Sequence, residues 1–250
     1  DSLEYQKNKG NLLSLDKKML LADYKQLMRR SENWRHVINP KTGWADGRHQ
    51  NRKWENNLDL VHRKSYITEG ATCHYTWYVP QNVEGLFQVI NNSGQNVIAR
   101  LDRMFDEGLY WHGNEPCHQI AYLYNKAGAP WKTQQRIHHI LNTEYNDTPG
   151  GLSGNDDAGQ MSAWYMFSAI GFYPVCPATP YYYIGTPSFD KVTFNLENGR
   201  KFEIVAEGVD DENFYIQQVD LNGKSGYYLS HDDLLKGGKL SFRMGNSPKY

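Results

Sequence analysis

Cysteine is scarce in this sequence, and its scarcity limits the disulfides and metal sites that the protein can form. The 250 residues include three cysteines, Cys73, Cys117 and Cys176, which lie far apart and form no CxxC pair. A disulfide framework and a zinc knuckle are therefore excluded, and we expect free thiols. No stretch approaches the roughly 18 apolar residues of a membrane-spanning helix. The formal net charge of -1 provides no field for binding nucleic acid. We expect a globular protein with no membrane span and no nucleic-acid partner.

The signatures of three common enzyme chemistries are also missing. The sequence has no GxSxG elbow, no Walker A loop and no GxGxxG turn, which argues against acyl transfer, nucleotide and dinucleotide sites. Aromatic residues, by contrast, make up 14% of the chain, with 18 Tyr and 7 Trp, and the mean hydropathy is -0.74. Flat amphipathic rings in a polar chain suit sugar recognition as well as packing.

The hydrophobic pattern changes period near residue 171. Helical spacing predicts helices over 14–38, 71–78, 82–90, 96–104, 115–127, 130–145 and 158–170. Strand patterns follow over 181–184, 192–195, 202–205, 214–219 and 240–242, with hairpin-type turns at Asn198-Gly199 and Asn222-Gly223. The sequence therefore predicts antiparallel helices, either a small bundle or part of a larger ring, and then a small antiparallel β module.

Three predicted interhelical loops combine carboxylates, amides and glycines. They contain Glu69, the pair Asn114-Glu115, and the pair Asp156-Asp157. Carboxylates that converge at one end of a helical bundle suit glycoside hydrolysis, in which one acid protonates the leaving oxygen and another activates water or attacks carbon. Amide and carboxylate oxygens also suit calcium. The alternative is that these acids only cap helix N-termini, where negative charge is favoured.

Five ordered segments between residues 65 and 175 carry a specific resemblance. The most specific is 154–165 (GNDDAGQMSAWY), which continues as 171–175 (GFYPV). The others are 83–86 (VEGL), 112–116 (HGNEP), 121–124 (AYLY) and 130–134 (PWKTQ), and 189–192 extends the likeness weakly into the strands. These segments resemble the family 92 glycoside hydrolases, the calcium-dependent exo-acting α-mannosidases.

The resemblance implies a fold and a reaction. Residues 1–175 would be the helical part of an (α/α)6 toroid and 176–250 a C-terminal β module. The reaction would be inverting removal of terminal α-linked mannose from glycans, of α-1,2 type. Glu69 matches the general acid and Asp157 with Asp156 the general base, whereas Asn114 and Glu115 lie in the calcium block. The resemblance also implies a secreted, periplasmic or cell-surface location.

Several positions depart from the family pattern. Cys73-His74 replaces a Trp-Gln pair, Gln81-Asn82 replaces a His-Asp pair, and the connection over 101–111 is short. The family's N-terminal β-sandwich and first helices have no counterpart here. We therefore expect the C-terminal portion of the catalytic region, inactive by itself, with that N-terminal part as its partner. The alternatives are a catalytically silent carbohydrate-binding or structural remnant, and a plain helical interaction module.

Overall fold

The computed structural model describes residues 17–55, 57–177, 179–223 and 226–250. The chain divides into two units. Unit 1 ends at Gln95 and takes in Cys176–Thr179, and unit 2 comprises Asn96–Val175 and Pro180–Tyr250. The division into 1–175 and 176–250 stays a prediction.

The described part of unit 1 contains three helices, two 3-10 turns and one small hairpin. The predicted helix over 14–38 is helix α1 (Lys17–Ser31) followed by a 3-10 turn (Glu32–His36), and residues 14–16 lie outside the described part. The remaining elements are strands β1 (Ile38–Asn39) and β2 (Trp44–Ala45), helix α2 (Thr72–Tyr75), a 3-10 turn (Pro80–Asn82) and helix α3 (Val83–Asn92).

Helix α3 shows why these residues form a helix. Val83, Leu86, Phe87 and Ile90 are buried and follow the spacing of one helix face. The helix begins at a cap, because the side-chain oxygen of Asn82 accepts a 2.9 Å hydrogen bond from the Gly85 amide. Asn82, which departs from the family pattern, therefore has a structural role in this protein.

Unit 2 begins with helices and continues into the two C-terminal sheets. Its helices are α4 (Val97–Asp106), α5 (Leu123–Lys126), α6 (Pro130–Thr143), α7 (Gln160–Ile170) and α8 (His231–Leu235). Helix α6 has Pro130 in its first turn, and Gly171 ends α7 in the left-handed conformation.

One predicted helix is broken in the structure. Residues 115–127 form 3-10 turns at Glu115–Cys117 and Ile120–Tyr122 before α5 begins at Leu123. The segment from Cys117 to Tyr124 is buried on every side, so it has no polar face to distinguish an amphipathic helix. Gln119 in this segment bonds to nearby backbone, since its Nε2 atom donates to the Pro116 carbonyl at 3.0 Å.

The C-terminal strands form two small sheets. The strands are β3 (Phe172–Tyr173), β4 (Tyr181–Ile184), β5 (Lys191–Asn195), β6 (Lys201–Glu207), β7 (Tyr215–Leu221), β8 (Tyr228–Ser230) and β9 (Gly238–Gly245). A three-stranded antiparallel sheet has the order β3-β4-β8, and a four-stranded sheet has the order β5-β6-β9-β7.

The predicted antiparallel β module is correct for most strand pairs but not for β6 and β9, which pair in parallel with Phe202 opposite Gly238. A parallel pair needs a long crossover, and residues 208–237 between the two strands supply it. The turn at Asn198-Gly199 does join an antiparallel hairpin of β5 and β6. The turn at Asn222-Gly223 does not, because β7 pairs with β9 and the chain leaves it for β8 in the other sheet.

The core of the β region comes from alternation along β6 and β9. Phe202, Ile204 and Ala206 are buried, and they pack with Leu240 and Phe242. The protein is therefore helical with small antiparallel and mixed sheets, and the (α/α)6 toroid stays a prediction. Along the described ranges, none of the helices has the length and apolar character needed to cross a bilayer.

Candidate active site

The first candidate loop leads from α4 to the 3-10 turn that contains Glu115. Asn114 precedes this turn in an extended conformation, and Pro116 occupies its first positions. The Asn114 side chain is 3% exposed, and its Nδ2 atom has no hydrogen-bond partner in the part of the chain that the structure describes. Glu115 is half-buried. An unpaired buried amide is costly, so this position favours a ligand.

The second candidate loop joins α6 to α7. Asp156 is half-buried, and its Oδ1 atom accepts hydrogen bonds from the Ser162 amide at 3.0 Å and from the Ser162 hydroxyl at 2.9 Å. Asp157 is exposed, and it begins a run of three left-handed residues with φ of 46° at Asp157, 59° at Ala158 and 92° at Gly159. Non-glycine residues avoid this region, and such strain is concentrated at functional sites.

The two loops cross at a pair of glycines. A Cβ atom on Gly154 would lie 2.6 Å from both the Cα and the carbonyl oxygen of Gly113, and one on Gly113 would lie 2.7 Å from the Ser153 carbonyl oxygen. Only glycine permits this approach of two backbones. The contact brings the loop of Asn114 and Glu115 against the loop that leads into Asp156.

A buried chain of hydrogen bonds reinforces the crossing. The Tyr145 hydroxyl donates to the Met161 carbonyl at 3.1 Å, so it accepts from His112 Nε2 at 2.6 Å. His112 Nδ1 is then unprotonated and accepts from the Tyr110 hydroxyl at 2.7 Å. The donors therefore run in one direction from Tyr110 to Met161, which fixes the tautomer of the imidazole.

His118 holds the backbone of the same residue. Its Nε2 atom donates to the His112 carbonyl at 3.0 Å, and its Nδ1 atom accepts from Gln160 Nε2 at 3.3 Å. Trp164 Nε1 donates to the His118 carbonyl at 2.8 Å. His112 is thus held through its ring and through its main chain.

Burial keeps this network uncharged. Desolvation, with a smaller contribution from His118, lowers the pKa of His112 from 6.5 to about 3. Desolvation also lowers the pKa of His118. The pKa values of Tyr110 and Tyr145 are raised, first by desolvation of their hydroxyls. Near neutral pH all four side chains are neutral, which agrees with the order of donors and acceptors inferred from the Tyr145 bond to Met161.

Glu69 belongs to unit 1, where it is exposed and has a φ of 62°. Its loop is held by short-range contacts, because the Tyr75 hydroxyl donates to the Thr68 carbonyl and the Ala71 amide donates to His74 Nδ1 at 3.0 Å. His74, one of the departures from the family pattern, therefore supports this turn. The predicted convergence of Glu69 with Asp157 stays a prediction.

The structure thus brings into contact the two loops that contain four of the five predicted site residues. These four are Asn114, Glu115, Asp156 and Asp157. Within the described ranges, no group of three or more His, Cys, Asp and Glu side chains is arranged to hold a metal ion. The orphaned Asn114 amide and the neighbouring Glu115 carboxylate nevertheless fit calcium, since a rotated amide would present an oxygen.

The sequence alone indicates no role for Tyr110, His112, Tyr145, His118 and Gln160. Four of them lie in segments already singled out: His112 in the 112–116 block, Gln160 in the 154–165 block, and His118 and Tyr145 in predicted helices. No spacing signal indicates that they meet. A surface cleft of about 430 Å³ opens beside Tyr145 and Ser162, between α6 and α7.

Comparison with known proteins places the chain in a class. The model of the glycosyl hydrolase family 92 catalytic domain matches residues 1–246. The structure superposes on a family GH92 alpha-mannosidase of Bacteroides thetaiotaomicron with a TM-score of 0.87, at 41% identity over 94% of this chain and 33% of that chain. The same enzyme in complex with mannoimidazole aligns at 37% identity with a TM-score of 0.87, over 98% of this chain and 34% of that one.

Two further relatives are also named as a mannosidase or a glycosidase. A family GH92 inverting mannosidase of the same bacterium has a TM-score of 0.82 and 35% identity, over 90% of this chain and 34% of that chain. An "Uncharacterized secreted glycosidase" of Arthroderma benhamiae is 27% identical over 91% of this chain and 33% of its own length. The chain belongs to glycosyl hydrolase family 92, and it spans about a third of the length of these relatives.

Proposed function

We propose that this chain carries the general-base and calcium residues of an inverting, calcium-assisted exo-α-mannosidase. The observation that carries the proposal is the crossing at Gly113 and Gly154, which sets the Asn114-Glu115 loop against the Asp156-Asp157 loop. Membership of family 92 and the similarity to an inverting mannosidase support the same reaction.

The two aspartates have different surroundings and therefore different roles. Asp156 is oriented by two hydrogen bonds from Ser162. Asp157 is exposed, so its carboxylate is the one that meets water. Asp157 removes a proton from water as the water oxygen attacks the anomeric carbon, and Asp156 holds the loop in place.

Glu69 is the general acid in this account. As the glycosidic bond breaks, the Glu69 proton passes to the leaving oxygen, and the product is mannose with inverted anomeric configuration. Inversion requires the two carboxyl groups to stand about 6.5–9.5 Å apart, so that one water fits between base and sugar.

Calcium would be held by Asn114 and Glu115. When bound, it supplies a hard cation that engages vicinal sugar hydroxyls and orients the ring. Two protein ligands are too few for six to eight oxygens, so water and sugar hydroxyls complete the shell. Binding of calcium by the protein without sugar is therefore weak.

The substrate is a glycan with terminal α-linked mannose, of α-1,2 type. One relative is solved with mannoimidazole, which supports a mannose-binding pocket. Another is named as secreted, which supports a location outside the cytoplasm, in the periplasm, at the cell surface or beyond it. The family's N-terminal β-sandwich and first helices would supply the rest of the pocket wall.

The experiment is hydrolysis of an aryl α-mannoside, with calcium and with EDTA, by the 250-residue chain and by a longer protein that contains it. We expect calcium-dependent hydrolysis by the longer protein and little or none by the chain alone. Absence of hydrolysis in the longer protein, together with retained mannose binding, would favour the silent carbohydrate-binding alternative.

A further inference from the structure

His112 lies at the centre of a hydrogen-bond chain that is closed at both ends. The chain begins at the Tyr110 hydroxyl and ends at the Met161 carbonyl, with distances of 2.7, 2.6 and 3.1 Å along it. Each hydroxyl has a single proton, so the reverse order would lose the bond to the Met161 carbonyl, which can only accept. The chain has one donor order and acts as a unit.

The geometry connects this chain to both candidate loops. His112 is two residues before Asn114, and its ring nitrogen is fixed to Tyr145, where the second loop begins. Tyr145 is fixed in turn to Met161, whose own amide donates to the Asp156 carbonyl at 3.2 Å. The series of hydrogen bonds therefore connects the loop that contains Asn114 and Glu115 to both ends of the loop that contains Asp156 and Asp157.

Packing leaves the imidazole no alternative position. His112 is 1% exposed, and its ring lies edge-on to the Trp164 ring with centroids 4.4 Å apart. Its carbonyl is held by His118. Because both the ring and the carbonyl of His112 are held, the next residues of its loop are also restricted in position.

We infer that His112, with Tyr110 and Tyr145, is a positioning residue that holds Asn114 and Glu115 in the arrangement that calcium binding requires. The inference rests on the proposed function, because it needs the calcium role of these two residues. His112 itself touches no reacting atom in this account. Partners that orient metal ligands commonly change metal affinity by ten-fold or more when removed.

The test is a double-mutant cycle read out as calcium affinity, with mannose present. Tyr110→Phe, Tyr145→Phe and the double variant each remove a hydroxyl and leave the rings in place. Affinity is measured by titration calorimetry and by terbium luminescence sensitised by Trp111, which is exposed in the same loop. All measurements are made well below the unfolding temperature of every variant, so that stability does not enter the readout.

Tyr124→Phe is the matched control. Tyr124 is a buried tyrosine of the same unit, and its hydroxyl donates at 2.9 Å to Asp102, a residue of helix α4 that belongs to neither loop. The Tyr124→Phe variant loses a comparable hydrogen bond and should retain the calcium affinity of the wild type. His112→Gln, whose amide can still donate toward Tyr145, should retain more affinity than His112→Leu.

We expect each single tyrosine variant to weaken calcium binding roughly ten-fold, and the double variant to be little weaker, because one break already disrupts the chain. Wild-type affinity in Tyr145→Phe, losses equal to that of Tyr124→Phe, or additive losses in the double variant would overturn the inference and leave the proposed function standing. A wild type that binds no calcium would overturn both.

Discussion

Gly113 and Gly154 meet backbone to backbone, with room for a side chain on neither residue. They come from loops about 40 positions apart in the sequence, and each lies within three residues of a predicted site residue. This crossing brings together the loops of the four candidate site residues of unit 2, so a side chain added at either glycine should separate them.

Gly154→Ala should separate the two loops. Its Cβ would meet the Gly113 main chain at 2.6 Å, and overpacking of this kind costs about 1–3 kcal/mol of stability. We expect calcium affinity and hydrolysis to fall together, as measured by calorimetry and by initial rates. Gly150→Ala is the control, because nothing lies within 4 Å of its Cβ and this variant should behave as wild type. Equal behaviour of the two variants would contradict the crossing.

Glu115→Gln and Asp157→Asn should separate calcium binding from turnover. Glu115→Gln removes a charged oxygen ligand, so calcium affinity should fall. Asp157→Asn leaves the proposed calcium residues untouched but removes the base, so the rate should fall by about 10²–10⁴ at unchanged calcium affinity. Calorimetry and saturating-substrate rates check both. Loss of calcium binding in Asp157→Asn would show that this aspartate is a ligand instead.

Glu69→Gln should have an effect that depends on the leaving group. An aryl mannoside with an acidic phenol needs little protonation as it departs, whereas a mannobiose needs a full proton transfer. The ratio of the two rates in Glu69→Gln, compared with wild type, should therefore shift strongly against mannobiose. Asp157→Asn is the control that should slow both substrates alike. An unchanged ratio would remove Glu69 from the role of general acid.

The cysteines should differ in reactivity in the folded protein. Burial raises the pKa of the Cys73 thiol from 9.0 to about 11, so at pH 8 only about 0.1% is thiolate. Cys117 is also buried, whereas Cys176 is half-buried. Iodoacetamide at pH 8 should modify Cys176 first, and denaturant should equalise the three rates, as followed by peptide mass spectrometry. Rapid labelling of native Cys73 would contradict its burial.

Much of this fold could be predicted because its helices and turns depend on residues that are close together in the sequence. The apolar face of α3 and the Asn198-Gly199 turn both appear at the expected positions. The broken segment 115–127 was not predictable, because burial on all sides removes the periodicity that distinguishes a helix. The parallel pairing of β6 with β9 was not predictable either, because it joins strands separated by 30 residues.

The residue types of the site could be predicted from the sequence, but their arrangement in space could not. Asn114, Glu115, Asp156 and Asp157 stand out as oxygen-bearing residues in glycine-rich loops. The chain from Tyr110 through His112 to Tyr145 gives no such signal, since a tyrosine or histidine near a helix end is ordinary. Only the folded crossing of the loops shows that these three side chains share one line of hydrogen bonds.

The anomeric configuration of the first product distinguishes an inverting reaction from a retaining one. A longer protein containing these residues is mixed with an α-mannoside, and proton NMR spectra are recorded before mutarotation, with calcium and with EDTA. We expect β-mannose first, with its formation lost in EDTA and in Asp157→Asn. α-Mannose as the first product, or a rate unaffected by EDTA, would contradict the inverting, calcium-assisted reaction assigned to these residues.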